Sequence, residues 1–131
     1  MTEVAGEVTD PETNVSVLER SRAAAIMQGD VEARNRKDMR LEALGSGSDF
    51  TPFRQHAGVP TLNIGFGGED GGGIYHSIYD SFTWYTRFSD TSFVYGKALA
   101  QVAGIMVMRV ANADLLPAEF GSLSEIGRAH V

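Results

Sequence analysis

A tyrosine and a histidine stand side by side at Tyr75 and His76, directly behind the glycines Gly71, Gly72 and Gly73 and just ahead of Tyr79 and Asp80. A neutral imidazole is a common zinc ligand, and a phenol can donate to a developing oxyanion or to a carboxylate. Glycines admit positive φ and close backbone approach, so a loop of this kind can set such a pair at the rim of a pocket. The same residues also read as a glycine turn leading into an aromatic-rich helix that packs on a core; one histidine does not choose between the two. A second loop runs through Leu44, Gly45, Ser46, Gly47, Ser48, Asp49 and Phe50. It either offers backbone N–H and C=O groups to a ligand or is a plain capped turn.

The elements that must position these loops follow from patterning. Val4, Ala5 and Val8 have helical spacing, and Asp10 followed by Pro11 turns the chain. Ser16 and Glu19 fit a capping box, for a helix that runs to Gln28 and stops at Gly29. Glu32, Arg34, Arg36, Lys37, Asp38, Arg40 and Glu42 make residues 30–42 a solvated helix or surface excursion. Ser48 or Asp49 is placed to cap a helix over residues 50–57, ended by Gly58. Residues 60–66 alternate with period two and predict a strand with Leu62, Ile64 and Phe66 on one face. A helix, a glycine and then a strand make half of an α/β unit. The loop 67–73 lacks phosphate-binding spacing, and Glu69 and Asp70 read as solvated. Phe82, Trp84, Tyr85 and Phe88 supply core or interface bulk. Asp90 and Thr91 are placed to cap a helix over residues 92–112. Its polar stripe (Lys97, Gln101, Arg109, Asn112) is so thin that it needs partners on more than one side.

Composition narrows the classes. The chain has 131 residues, 43% hydrophobic, a net charge of −6 and no cysteine. That is a globular composition with no dense basic cluster, which argues against a general nucleic-acid binder. Disulfides and thiolate metal sites are ruled out, and the redox compartment stays undetermined. Residues 1–10 lack a signal pattern, and the longest apolar run, within residues 98–108, predicts no membrane-spanning segment.

Tyr75, His76, Ser77, Ile78, Tyr79, Asp80, Ser81 and Phe82 together resemble the tyrosine–histidine segment of the M28 zinc metallopeptidases, in the glutamate carboxypeptidase II and transferrin-receptor-like branch. The loop 44–50 and the stretch 93–101, from Phe93 through Tyr95 and Lys97 to Gln101, resemble the same branch, in the same order. The resemblance spans roughly residues 8 to 120. It implies an α/β fold class: the C-terminal fragment of a three-layer α/β/α zinc-exopeptidase-like domain plus the first helix of a helical dimerisation domain. Residues 1–90 then belong to the catalytic domain and 91–125 open the dimerisation domain. Residues 126–131 read as the translation of a sequencing adapter, which removes His130 from the ligand candidates.

The resemblance further implies a pair of zinc ions in the full-length parent, with His76 binding one of them. Tyr75 contacts the substrate carboxylate or oxyanion, and Gly47 lends backbone to the substrate cleft. Ser48 lies beside it, where the branch carries asparagine. No catalytic residue falls within the chain: the general-base glutamate and the other ligands belong to segments that would precede Met1. Asn63, Ile64 and Gly65 stand where glutamate-selective members carry two arginines, so acidic-peptide specificity does not carry over. The implied partners are a peptide substrate and a second copy of the chain, through the C-terminal helical region. The resemblance places the parent outside the cytoplasm or on a membrane anchor. The expected function is that of a metallopeptidase fragment acting near a chain terminus, inactive alone. The alternative is a non-catalytic receptor-like or dimerisation module, against which His76 argues, since the transferrin receptor pattern replaces it.

Overall fold

Asp10 with Pro11, then Gly29, Gly58 and the glycines at 71–73, cut the chain into short elements. The computed structural model describes residues 1–41, 43–68 and 74–117. The chain divides into one unit of Met1–Leu41 with Ile64–Val107 and a second of Glu42–Asn63 with Met108–Val131.

The core of the first unit draws on two of its helices. α1 (Thr2–Glu7) and α4 (Val94–Ala111) contribute Val4, Ala98 and Val102 to the core, and Val8 joins them just past α1. Val4 with Val8, and Ala98 with Val102, are four residues apart, the spacing that aligns side chains on one helical face. Met1, Val17, Ile64, Phe66, Ile105 and Met106 close around them. Burying each valine contributes about 2 kcal/mol.

Between α1 and α2 (Val17–Met27) the chain reverses at Asp10, which is 2% exposed. Its Oδ1 accepts from the Glu12 N–H at 3.1 Å, the Thr13 N–H at 2.9 Å and the Thr13 hydroxyl at 2.8 Å. An isolated antiparallel bridge between Thr9 and Ser16 closes the reversal, and the Val17 N–H donates to the Val8 carbonyl. Burial by itself would raise the Asp10 carboxyl; the bonds from Thr13 and Glu12 outweigh it and hold the group below its ordinary value. Ser16 and Glu19 form the expected capping box, and α2 stops where Gly29 takes a φ of +95°. The charge-dense stretch forms a short 3₁₀ turn, Val31–Arg34, with Asp30 capping it and accepting from Arg36 at 3.0 Å.

α3 (Phe82–Phe88) begins at Ser81, whose hydroxyl accepts from the Trp84 N–H. The helix expected from residue 92 starts at Val94, after Phe93 takes a left-handed φ of 56°. Asp90 caps it from a distance: its buried carboxylate accepts from the Gly96 N–H at 2.7 Å and the Tyr85 hydroxyl at 3.1 Å. A Cβ at Gly96 would lie 3.4 Å from both of those oxygens, at the near edge of ordinary van der Waals contact. Burial raises the Asp90 carboxyl, and donors from Gly96, Tyr95, Tyr85 and Val94 more than reverse that. Tyr95 donates to Glu12 at 2.9 Å, Arg20 reaches the same carboxylate at 3.0 Å, and Phe66 packs on the Tyr95 ring at 5.3 Å. Together these tie the Asp10 turn to α4.

The second unit holds the loop before a π-turn, Pro52–His56, in which the Ala57 N–H donates to the Pro52 carbonyl five residues back. Gly58, at φ +67°, ends it as expected, whereas neither Ser48 nor Asp49 caps it. The chain enters through Thr51 and Pro52, and proline has no N–H to cap.

One expectation needs correction. The α/β reading required a strand over residues 60–66, and none forms there: among the described residues there is no strand, only helices, turns and the single bridge. Period-two alternation marks a segment fit for a ladder but cannot supply the neighbour that makes one. Ile64 and Phe66 pack instead on the α1 and α4 core, while Leu62 is exposed. α4 as a whole is long and apolar enough to cross a membrane by length and composition alone, although Lys97 and Arg109 interrupt it. Core helices of soluble proteins meet the same criterion.

Candidate functional site

Tyr75 and His76 occupy a tight turn. The Ser77 N–H donates to the Ile74 carbonyl at 3.0 Å, and the Ser77 hydroxyl accepts from the Tyr79 N–H at 3.2 Å. His76 sits at the turn's third position with φ 59°, where glycine or asparagine is usual. Histidine tolerates this left-handed conformation better than most side chains, at a cost on the order of 1 kcal/mol. The phenol and imidazole rings stack at 3.8 Å and 22°. Both side chains face solvent, Tyr75 at 77% exposure. The turn therefore presents the pair outward, and among the described residues neither ring makes a hydrogen bond to the scaffold.

Gly47 and Ser48 lie in the second unit. Gly47 has φ +93°, and its N–H donates to the Thr51 hydroxyl at 3.2 Å; the Ser48 N–H reaches the same oxygen at 3.4 Å. The Ser48 carbonyl accepts from the Thr51 N–H at 2.9 Å. The Arg54 guanidinium donates to the Leu44 carbonyl, and Gln55 Nε2 to the Gly45 carbonyl at 3.0 Å. Sequence reasoning passed over Thr51, Arg54 and Gln55. Their i, i+3, i+4 spacing after a glycine–serine loop was the available signal, because it puts three hydrogen-bonding side chains on one face of a helical turn.

A zinc ion needs three or four ligands converging at about 2.0–2.3 Å. Among the described residues no group of three histidine, cysteine, aspartate or glutamate side chains comes together. His76 is one exposed imidazole and His56 another, on the π-turn. Glu69, Asp70 and the tail 126–131, with His130, lie outside the described residues. The described residues thus do not fit a zinc site by themselves. The first unit also has a shallow cleft of about 400 Å³ lined by Asp10, Asn14, Lys97 and Gln101 among others; Tyr75 and His76 are not in its wall.

No protein-family model matches the chain, and no solved structure matches it. Curated relatives do. A probable glutamate carboxypeptidase LAMP1 from Arabidopsis thaliana is 41% identical over 78 residues, 60% of this chain and 11% of the relative. A probable glutamate carboxypeptidase VP8 from Zea mays is 31% identical over 84 residues, 64% of this chain and 12% of the relative. The aminopeptidase NAALADL1 of Mus musculus is 26% identical over 91 residues, 65% of this chain and 12% of the relative. The chain spans about a tenth of the length of the relatives it matches. Its resemblance to the glutamate carboxypeptidase-like peptidases, read first from the tyrosine–histidine segment, extends over some 60% of its residues.

Proposed function

We propose that this chain is the substrate-contacting and ligand-bearing C-terminal part of a zinc-dependent exopeptidase that hydrolyses peptide bonds near a chain terminus. The supporting observation is the 41% identity to a probable glutamate carboxypeptidase, over 78 residues. In this reading His76 supplies one imidazole to a zinc site whose other ligands lie outside the described residues. Tyr75, stacked beside it, donates its phenol to the substrate carboxylate or oxyanion. Gly47 and Ser48 border the bound peptide. Residues 1–90 are the end of a catalytic domain of α/β type, whose sheet would give the segment 60–66 its missing neighbours. Residues 91–125 open a dimerisation region.

One imidazole cannot hold a zinc pair, so the 131-residue chain is inactive by itself. The test compares this chain with the complete gene product on the dipeptide Ala-Glu, with zinc supplied. Hydrolysis by the complete product and none by the chain supports the reading. No hydrolysis by the complete product, on this or on a panel of amino- and carboxypeptidase substrates, would exclude a peptidase. A non-catalytic interaction module is the second reading, favoured by the apolar surface of the segment after His76, where Ile78 is 90% and Phe82 72% exposed.

A further inference from the structure

The loop 44–48 consists of glycine and serine after Leu44, a composition with high conformational entropy. Yet the backbone groups along it are held by the three side chains of the next turn. Thr51 Oγ1 takes the Gly47 and Ser48 N–H groups, Gln55 takes the Gly45 carbonyl and Arg54 the Leu44 carbonyl. Arg54 is half-buried, which keeps its guanidinium on this contact. The π-turn gives this face its shape, with Pro52 fixing its first residue and Gly58 its end. The Gly45 and Ser46 N–H groups and the Ser46 and Gly47 carbonyls are left out of this clamp, and these are the groups with which such a loop can meet a ligand.

We infer that Thr51, Arg54 and Gln55 are positioning residues that hold the loop 44–48 in the conformation that receives the peptide, and so set substrate affinity without touching the reacting atoms. The inference rests on the substrate-contacting reading of Gly47 and Ser48. An interaction with the bound peptide away from the scissile bond acts alike on ground and transition states, so its loss raises KM and spares kcat.

The experiment uses the complete gene product and Ala-Glu. Arg54→Ala and Thr51→Val should each raise KM about tenfold with kcat within about twofold of wild type, and Thr51→Ser, which restores the acceptor oxygen, should return KM to the wild-type value. Amide hydrogen exchange is followed in the same proteins: the Gly47 and Ser48 N–H groups should exchange about tenfold faster in Thr51→Val than in wild type. Unchanged KM in both variants of an active enzyme would overturn the inference and leave the peptidase reading standing. Unchanged exchange would overturn the clamp whatever the activity. A wild-type protein that hydrolyses no peptide removes the peptidase reading, and this inference with it.

Discussion

Asp10 and His76 are both polar residues at reversals of the chain, and the structure treats them in opposite ways. Asp10 is buried and accepts three hydrogen bonds from its own turn, and that turn is tied to α4 through Glu12 and Tyr95. His76 is exposed, held in a left-handed backbone conformation, and stacks on the ring of Tyr75. A buried polar group that is fully satisfied specifies a scaffold. A ring that makes no hydrogen bond among the described residues, held at some cost in backbone energy, leaves its nitrogens facing solvent. The contrast sets a residue that holds shape beside one that leans little on the scaffold.

The sharpest way to break that contrast is to remove the carboxylate. Asp10→Ala leaves the Glu12 and Thr13 N–H groups without their partner and should cost about 2 to 3 kcal/mol, measured by chemical denaturation. A cost near zero would mean that the Asp10 turn is as dispensable as the His76 turn. Val102→Ala removes two buried methyl groups from the α1 and α4 core and should cost about 2 kcal/mol.

Titration sharpens the comparison further. Asp10 and Asp90 are both held below the ordinary 3.8 when folded. Their contribution is therefore complete above pH 3.8 and is lost as pH falls from there through the lowered folded values. Tyr95 moves the other way, pushed up to about 12 from 10.0 by burial and by its bond to Glu12. Its contribution is complete below pH 10.0 and is lost as pH rises toward 12. Tyr95→Phe should lower stability near neutral pH while flattening its fall between those two values, read from Tm across the alkaline range. A wild-type Tm that stays level to pH 12 would contradict the Tyr95 assignment.

The smallest expected effect is at the site itself. His76→Gly relieves the left-handed strain and adds unfolded-state freedom, two terms of about 1 kcal/mol that oppose each other, so stability should be unchanged within about 1 kcal/mol. A loss of 3 kcal/mol or more would make His76 a structural residue.

Much of the scaffold was legible because its signals are local. The Ser16 and Glu19 capping box, the stop at Gly29 and the apolar spacing of α4 each involve residues within a turn or two of one another. The strand at 60–66 was misread because strand formation depends on a neighbour, and alternation in one segment says nothing about whether a neighbour exists. Asp90 caps the helix as its position predicts, through Gly96 in the first turn, but that helix starts later than expected because Phe93 takes a left-handed conformation before it. Tyr75 and His76 stand out as site candidates by residue type and by resemblance. The clamp of Thr51, Arg54 and Gln55 was hidden because it is made of ordinary polar residues whose partners are backbone groups.

The central claim is that His76 is a ligand-bearing residue of a zinc peptidase and not a surface histidine. It is tested most directly by purifying the complete gene product as wild type and as His76→Ala, then measuring bound zinc and Ala-Glu hydrolysis on the same samples. The account predicts that the variant still folds, loses about one zinc equivalent and with it some thermal stability, and falls by at least about a hundredfold in kcat/KM. A variant that keeps both its zinc and its activity would contradict it.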